Sequence, residues 1–252
     1  HILTIKTQKQ LIDYFNYDID KKKVPLIILK KFPFDFNESE IKKKLFIKIL
    51  LPQILFINNK ILNDRNSVKK LFINNKIKEN LSNAEKEWLA NIASLYNVEP
   101  INKKDLLIKI NTIPPSLAIA QAAIESGWGT SRFTIKGNAL YGQRTFDRKQ
   151  RGLFPSEIKS QKFKVQKFKS LLDSTWAYTL TINSHRAYEK FRNARLNLSN
   201  TNKDYQGVNL SFYLDKYSEK GEVYTKLIKN IIITNDLYLL NNTKLKQTTN
   251  KK

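Results

Sequence analysis

Apolar positions recur along this chain mostly at helical spacing. From Glu38 to about Asn63 the run "ESEIKKKLFIKILLPQILFINNKILN" sets Ile41, Leu45, Ile49, Ile54 and Ile61 on one stripe with lysines opposite, which predicts an amphipathic helix bent at Pro52. Ser82 and Glu85 stand in capping-box spacing, so a helix should start near Asn83 and turn Trp88, Leu89, Ile92 and Leu95 toward a core. "KKDLLIKINTIPPS" predicts a short helix and a turn, with Pro114 and Pro115 suited to the first turn of the next helix, where no donor is lost. Leu117 to Ile124 is aliphatic or small except at Gln121 and reads as buried helix. Glycines then cluster at 127, 129, 137, 142 and 152, marking loop and turn.

Between Arg144 and Phe168 the alternation in "QKFKVQKF" predicts a small β-hairpin. Ser170, with Asp173 three residues on, restarts a helix, and at least two more follow through Leu240. Residues 1–23 read as a basic leader, mobile or an outer strap, and the Asn/Lys/Thr-rich stretch from Asn241 as a disordered tail. The fold class is therefore α+β and mainly helical. Length allows one large domain or two modest ones.

Charge changes the picture most. With 45 basic and 22 acidic residues the net charge is +23, which narrows the partners to nucleic acid, an anionic membrane surface or an anionic wall polymer. No helix-turn-helix, zinc or RNP pattern accompanies the charge, so no nucleic acid is expected. The absence of cysteine excludes disulfides, zinc–thiolate sites and cysteine nucleophiles; with two histidines and no H-E-x-x-H, neither a metal nor another cofactor is expected. His185, at a helix start, reads as structural. The most apolar window, Ile47 to Ile57, is broken by Lys48, Pro52 and Gln53 and falls short of the ~20 residues of a membrane span. Because the chain begins at His1, an upstream signal or anchor is expected to be missing.

Glu125 poses the chemical question. It ends an apolar helix, with Gln121 one turn back and small Ala118 and Ala122 on its face, which leaves room beside the carboxylate. Burial and the negative end of the helix dipole both favour its protonated form. A carboxyl that keeps its proton near neutral pH can donate it to a glycosidic oxygen.

"ESGWGTSRF" followed by "KGNALYGQ" resembles the glucosaminidase domain of glycoside hydrolase family 73, peptidoglycan hydrolases with a lysozyme-like fold. "VPLIILKKFP", the helix around Pro52 and "FKSLLDSTWAYTLTINSHRAYEKFR" further resemble the Bax-type envelope proteins within that superfamily. The resemblance implies a lysozyme-like core over 111–240 with a small β lobe, and an N-terminal helical extension over 24–110 packed on it. It implies Glu125 as catalytic acid, Asn138 to Gly142 as cleft wall, and Tyr224 as the tyrosine facing the acid, although a plain core tyrosine is equally consistent with the residues. A second carboxylate in the β lobe is implied at Glu157, with Asp147 as competitor. Trp128 either lines the glycan groove or plugs the helix end; Tyr141 and Gln143 are expected substrate contacts. The activity implied is cleavage of the β-1,4 bond after N-acetylglucosamine in peptidoglycan strands, in the bacterial envelope, most simply the periplasm. A lytic transglycosylase and a silent peptidoglycan-binding protein are the alternatives.

Overall fold

The computed structural model describes residues 2–3, 8–18, 22–29, 39–73, 76–147, 149–155, 163–198 and 203–246. Strand β1 (Ile2–Leu3), helix α1 (Gln8–Tyr14), β2 (Lys23–Val24) and β3 (Ile28–Leu29) lead into the long helix α2 (Ser39–Lys70). Next come β4 (Phe72–Ile73), β5 (Lys76–Ile77), α3 (Asn83–Leu95), α4 (Lys103–Lys109), α5 (Pro115–Ser126) and α6 (Arg132–Gly137). The β lobe is β6 (Arg144–Thr145), β7 (Gly152–Leu153) and β8 (Lys164–Gln166), and α7 (Leu171–Ser184), α8 (Glu189–Asn197), α9 (Gln206–Ser211), α10 (Glu222–Thr234) and β9 (Lys244–Leu245) complete the chain. This is the mainly helical, lysozyme-like α+β arrangement expected from the sequence.

Local signals place most of the helix starts. Ser82 and Glu85 form the reciprocal capping box of α3, Ser170 accepts from the Asp173 N–H at the head of α7, and Pro115 is the first residue of α5. The lobe differs in detail from the expected hairpin: β8 lies between β6 and β7, antiparallel to both, so three strands share one small sheet.

Helix α2 is wider in its apolar face and longer than its stripe suggested. Leu45, Ile49, Ile54 and Ile61 are buried as expected, but Leu50, Leu51, Leu55 and Ile57 are buried too, while Ile41 at the exposed start is not. Its length and hydropathy would suit a membrane span, yet 67% of the most apolar window lies inside the protein. One half of α2 packs in the core that holds α5, α7 and α10; the other half packs with α3 and α4. Pro52 has no N–H for the Lys48 carbonyl, and the Tyr17 hydroxyl donates to that carbonyl instead, at 2.5 Å.

Both chain ends are more engaged than their composition suggests. Leu11 and Phe15, in the basic leader, are buried in the main core. The expected disorder from Asn241 is corrected over 241–246: β9 pairs in parallel with β2, Thr243 is buried, and the Asn241 amide oxygen accepts the Ser116 N–H in the first turn of α5. A short asparagine-rich stretch reads as disorder, but here its amides satisfy backbone groups left over at a helix start. Residues 247–252 lie outside the described residues.

The segment leading into α5 is held by arginine as well as by the buried Ile110 and Ile113. Arg195, buried, donates to the carbonyls of Ile108 (3.0 Å) and Thr112 (3.0 Å) and to the Asn183 side-chain oxygen (2.7 Å). Burial, then the nearby Arg192 and Arg65, lower its pKa to about 9. Carbonyl dipoles, with the Asn183 amide, receive this cation. The result is a fixed entry angle for the helix that ends in Glu125.

Candidate active site

Helix α5 is apolar on all sides and buried along nearly its whole length, so it forms the axis of the larger core. Its last turn emerges from that core, and Glu125 there is half-buried. Beyond it Gly127, Trp128 and Gly129 all have positive φ (57°, 57° and 88°), which reverses the chain within three residues. For a residue as large as tryptophan this conformation is costly, and it is held by packing: the Trp128 ring lies edge-on to Phe46 of α2 at 5.6 Å, with the Lys43 ammonium over its face at 5.8 Å.

A cleft of about 860 Å³ opens beside Glu125. Its walls come from the lobe (Gly142, Gln143, Arg144, Gln166), from α7 and the turn after it (Thr181, Tyr188), and from the 215–221 loop. Gly142 lies directly over the acid. It has φ +64°, and a Cβ there would stand 2.9 Å from Glu125 Oε2, so the motif glycine is required by both backbone and space.

Behind Glu125 runs a buried relay of polar groups. The Tyr178 hydroxyl donates to Gln121 Oε1 at 2.7 Å, and Gln121 Nε2 donates to the Tyr224 hydroxyl at 3.2 Å. Since Tyr224 accepts from the amide, its one proton is free for the Glu125 carboxyl, to which it is hydrogen-bonded. Burial, and next the Glu125 charge, push the Tyr224 phenol far above its ordinary value, so it remains a donor. The rings are fixed by stacking: Tyr217 on Tyr224 (5.6 Å, 3°) and Tyr141 on Tyr178 (4.0 Å, 8°), while the Tyr217 hydroxyl donates to the Tyr141 carbonyl at 2.8 Å.

These surroundings oppose one another at the carboxyl. Burial raises the Glu125 pKa above the ordinary carboxylate value; the Tyr224 hydrogen bond and the charges of Arg144 and Lys220 pull it down, and burial wins. Tyr188, buried and near the same charge, is pushed up to about 12.

The structure brings together Glu125, Tyr224, Tyr141 and Gln143. Asn138 caps α6 in a left-handed conformation (φ 53°) and donates to the Phe168 carbonyl at 3.1 Å, tying the motif loop to the end of β8 rather than lining the cleft. Trp128 likewise does not line the cleft; its ring plugs the helix end as described. Glu157 lies outside the described residues. Asp147 is exposed and accepts the Lys149 N–H at 2.8 Å, away from the cleft lining. His185 caps a helical turn through Nδ1. Among the described residues no group of three His, Asp or Glu is placed to hold a metal ion.

Sequence analysis set Gln121 one turn from Glu125 without giving it a role, and passed over several other groups on or behind the cleft. Tyr188 and Tyr217 line it, Gln121 and Tyr178 lie buried behind Glu125, and Asp215 and Glu219 are the other described carboxylates on its lining. Gln121 had a signal, as the one large polar residue in an aliphatic helix. The tyrosines had only their density between positions 141 and 224.

The profile of the family described as mannosyl-glycoprotein endo-beta-N-acetylglucosaminidase matches residues 104–237. Protein bax of Escherichia coli (strain K12) is 29% identical over 206 residues, covering 79% of this chain and 70% of its own length. No solved structure matches the chain. The family match spans the acid's helix, the lobe and the tyrosine wall alike, and takes in more than half of the sequence, so this chain belongs to the mannosyl-glycoprotein endo-beta-N-acetylglucosaminidase family.

Proposed function

We propose that this protein hydrolyses the β-1,4 bond after N-acetylglucosamine in peptidoglycan strands, with Glu125 as general acid. The observation that carries the reading is a half-buried carboxyl on the cleft whose pKa is raised by burial and whose orientation is set by Tyr224. Glu125 gives its proton to the glycosidic oxygen as the C1–O bond breaks, and the sugar leaves as an oxocarbenium-like centre that water then captures. The Tyr224 hydroxyl follows the charge, donating more strongly as the carboxylate forms. Glu157, by resemblance, and Asp215 and Glu219, by their place on the cleft, compete for activating the water; where the substrate's own 2-acetamido group attacks C1 first, no enzyme nucleophile is needed.

A net charge of +23 suits an acidic wall polymer and an anionic membrane surface beside it, and supports a reaction in the cell envelope. Both attractions weaken with salt.

One observation favours a lytic transglycosylase as second reading. The described carboxylates that share the cleft with Glu125 are each beside a cation, Asp215 by Lys216 (3.8 Å) and Glu219 by Arg144 (3.5 Å). A reaction that closes an internal ether needs no water-activating base. Mass spectrometry of fragments released from purified sacculi by wild type and by Glu125→Gln separates the readings. Reducing N-acetylglucosamine ends from wild type alone support hydrolysis; 1,6-anhydromuramyl ends support the second reading. Sacculi bound by both proteins but cut by neither would leave a binding module.

A further inference from the structure

Among the β-lobe phenylalanines that neither core uses, Phe146 and Phe163 pair with each other. Phe146 follows β6 directly and Phe163 precedes β8, and the register Arg144↔Val165, Thr145↔Lys164, continued by one position, sets them opposite each other. Their rings are 6.2 Å apart at 55°, and Phe146 is 74% exposed. A ring that stays in water contributes little to holding two strands together. Single exposed apolar side chains are common on protein surfaces. This pair differs because of Arg144, whose guanidinium lies 4.4 Å from the centre of the Phe163 ring and which also forms part of the cleft wall with Glu125. The aromatic pair therefore continues the cleft outward along the lobe, through a cation.

Such a surface has a natural complement in the same polymer. A β-linked 2-acetamido pyranose holds its substituents equatorially and presents axial C–H groups on each face, an apolar plate that stacks on an aromatic ring. A muramoyl unit adds a carboxylate at its edge, and the only described acid paired with Arg144 is Glu219, which is 89% exposed and so easily displaced. We propose that Phe146, Phe163 and Arg144 form an outlying saccharide subsite, which holds a muramoyl unit of the strand beyond the two sugars flanking the bond to be cut. Its role is to retain long strands. The proposal rests on the peptidoglycan reading above.

The test uses the full chain and peptide-free glycan strands sorted into two lengths, two disaccharides and ten or more. Phe146→Ala is expected to raise KM for long strands about five- to tenfold, with kcat within about twofold and short-strand kcat/KM unchanged. Phe146→Trp should restore the long-strand KM, and reducing the muramoyl carboxyls to alcohols should raise it for wild type. An unchanged long-strand KM in Phe146→Ala overturns the proposal, as does an equal loss on both lengths, which would place the effect in the cleft or the fold. Wild type that cuts neither length removes the glycosidase reading itself, an outcome distinct from a length-independent Phe146→Ala.

Discussion

The two walls of the cleft are built in opposite ways. On the acid's side, α5, α7 and α10 bring Gln121, Tyr178 and Tyr224 together out of water, so that each hydrogen bond fixes the next. On the lobe side, strands of two or three residues present Arg144 and Gln166 to solvent, and the Arg144–Glu219 pair is exposed on both partners. In the first wall a lost partner leaves a buried group unsatisfied; in the second, water replaces it. Protonation and turnover are thus properties of the buried wall, and substrate retention a property of the exposed one. Substitutions on the first should move kcat and the pH profile, and substitutions on the second, except at Gly142 where the lobe presses on Glu125 itself, should move KM and salt dependence.

The largest break expected is Glu125→Gln, which should lower kcat by roughly 10²–10⁴-fold. It should also stabilise the fold. Because the folded pKa of Glu125 is raised, the stability linked to its proton is complete below the ordinary carboxylate value and is lost as pH rises through the raised one. The Tm advantage of the glutamine variant should therefore grow as pH rises from the ordinary carboxylate value through the raised one, as calorimetry would show. A constant difference would mean that the carboxyl is not perturbed.

Gly142→Ala should come next. Its Cβ would press on Glu125 Oε2 from the lobe side while straining a left-handed backbone, and displacing the acid by a fraction of an ångström should cost on the order of 10–100-fold in kcat. A kcat within twofold of wild type would mean that lobe and acid move independently. Tyr224→Phe keeps the ring that stacks on Tyr217 and removes the hydrogen bond that lowers the Glu125 pKa. The alkaline limb of the pH–rate profile should move to higher pH, and stability should fall by about 1–3 kcal/mol as Gln121 loses its acceptor. The smallest effect on stability belongs to Glu219→Gln: removing an exposed ion pair should alter it by less than about 1 kcal/mol, with KM at low salt as the main kinetic change unless Glu219 is the group that activates the water. A large Tm loss there would contradict the contrast between the walls.

What could be read from the sequence follows the same division. Glu125, the capping box at Ser82 and the proline start of α5 are local patterns, and each stands in the structure where the spacing put it. The relay behind the acid joins residues 57 and 103 positions apart, and no local periodicity carries such a pairing. Asn241 reaches Ser116 across 125 positions from a stretch whose composition reads as disorder. Arg195 spends its charge on backbone carbonyls, which have no signature in side-chain identity. Trp128 sits between the two cases: its place in the motif was evident, but its packing on Phe46 depends on how α2 crosses the end of α5.

The central claim is that burial lets Glu125 keep its proton on an open cleft, and titrating its side-chain carboxyl by ¹³C NMR, with Glu125→Gln to assign the signal, tests it most directly. The account predicts a pKa above the ordinary glutamate value, with the alkaline limb of activity falling at the same pH. A Glu125 that titrates at or below that value would contradict it, since the carboxyl would then be ionised with no proton to give.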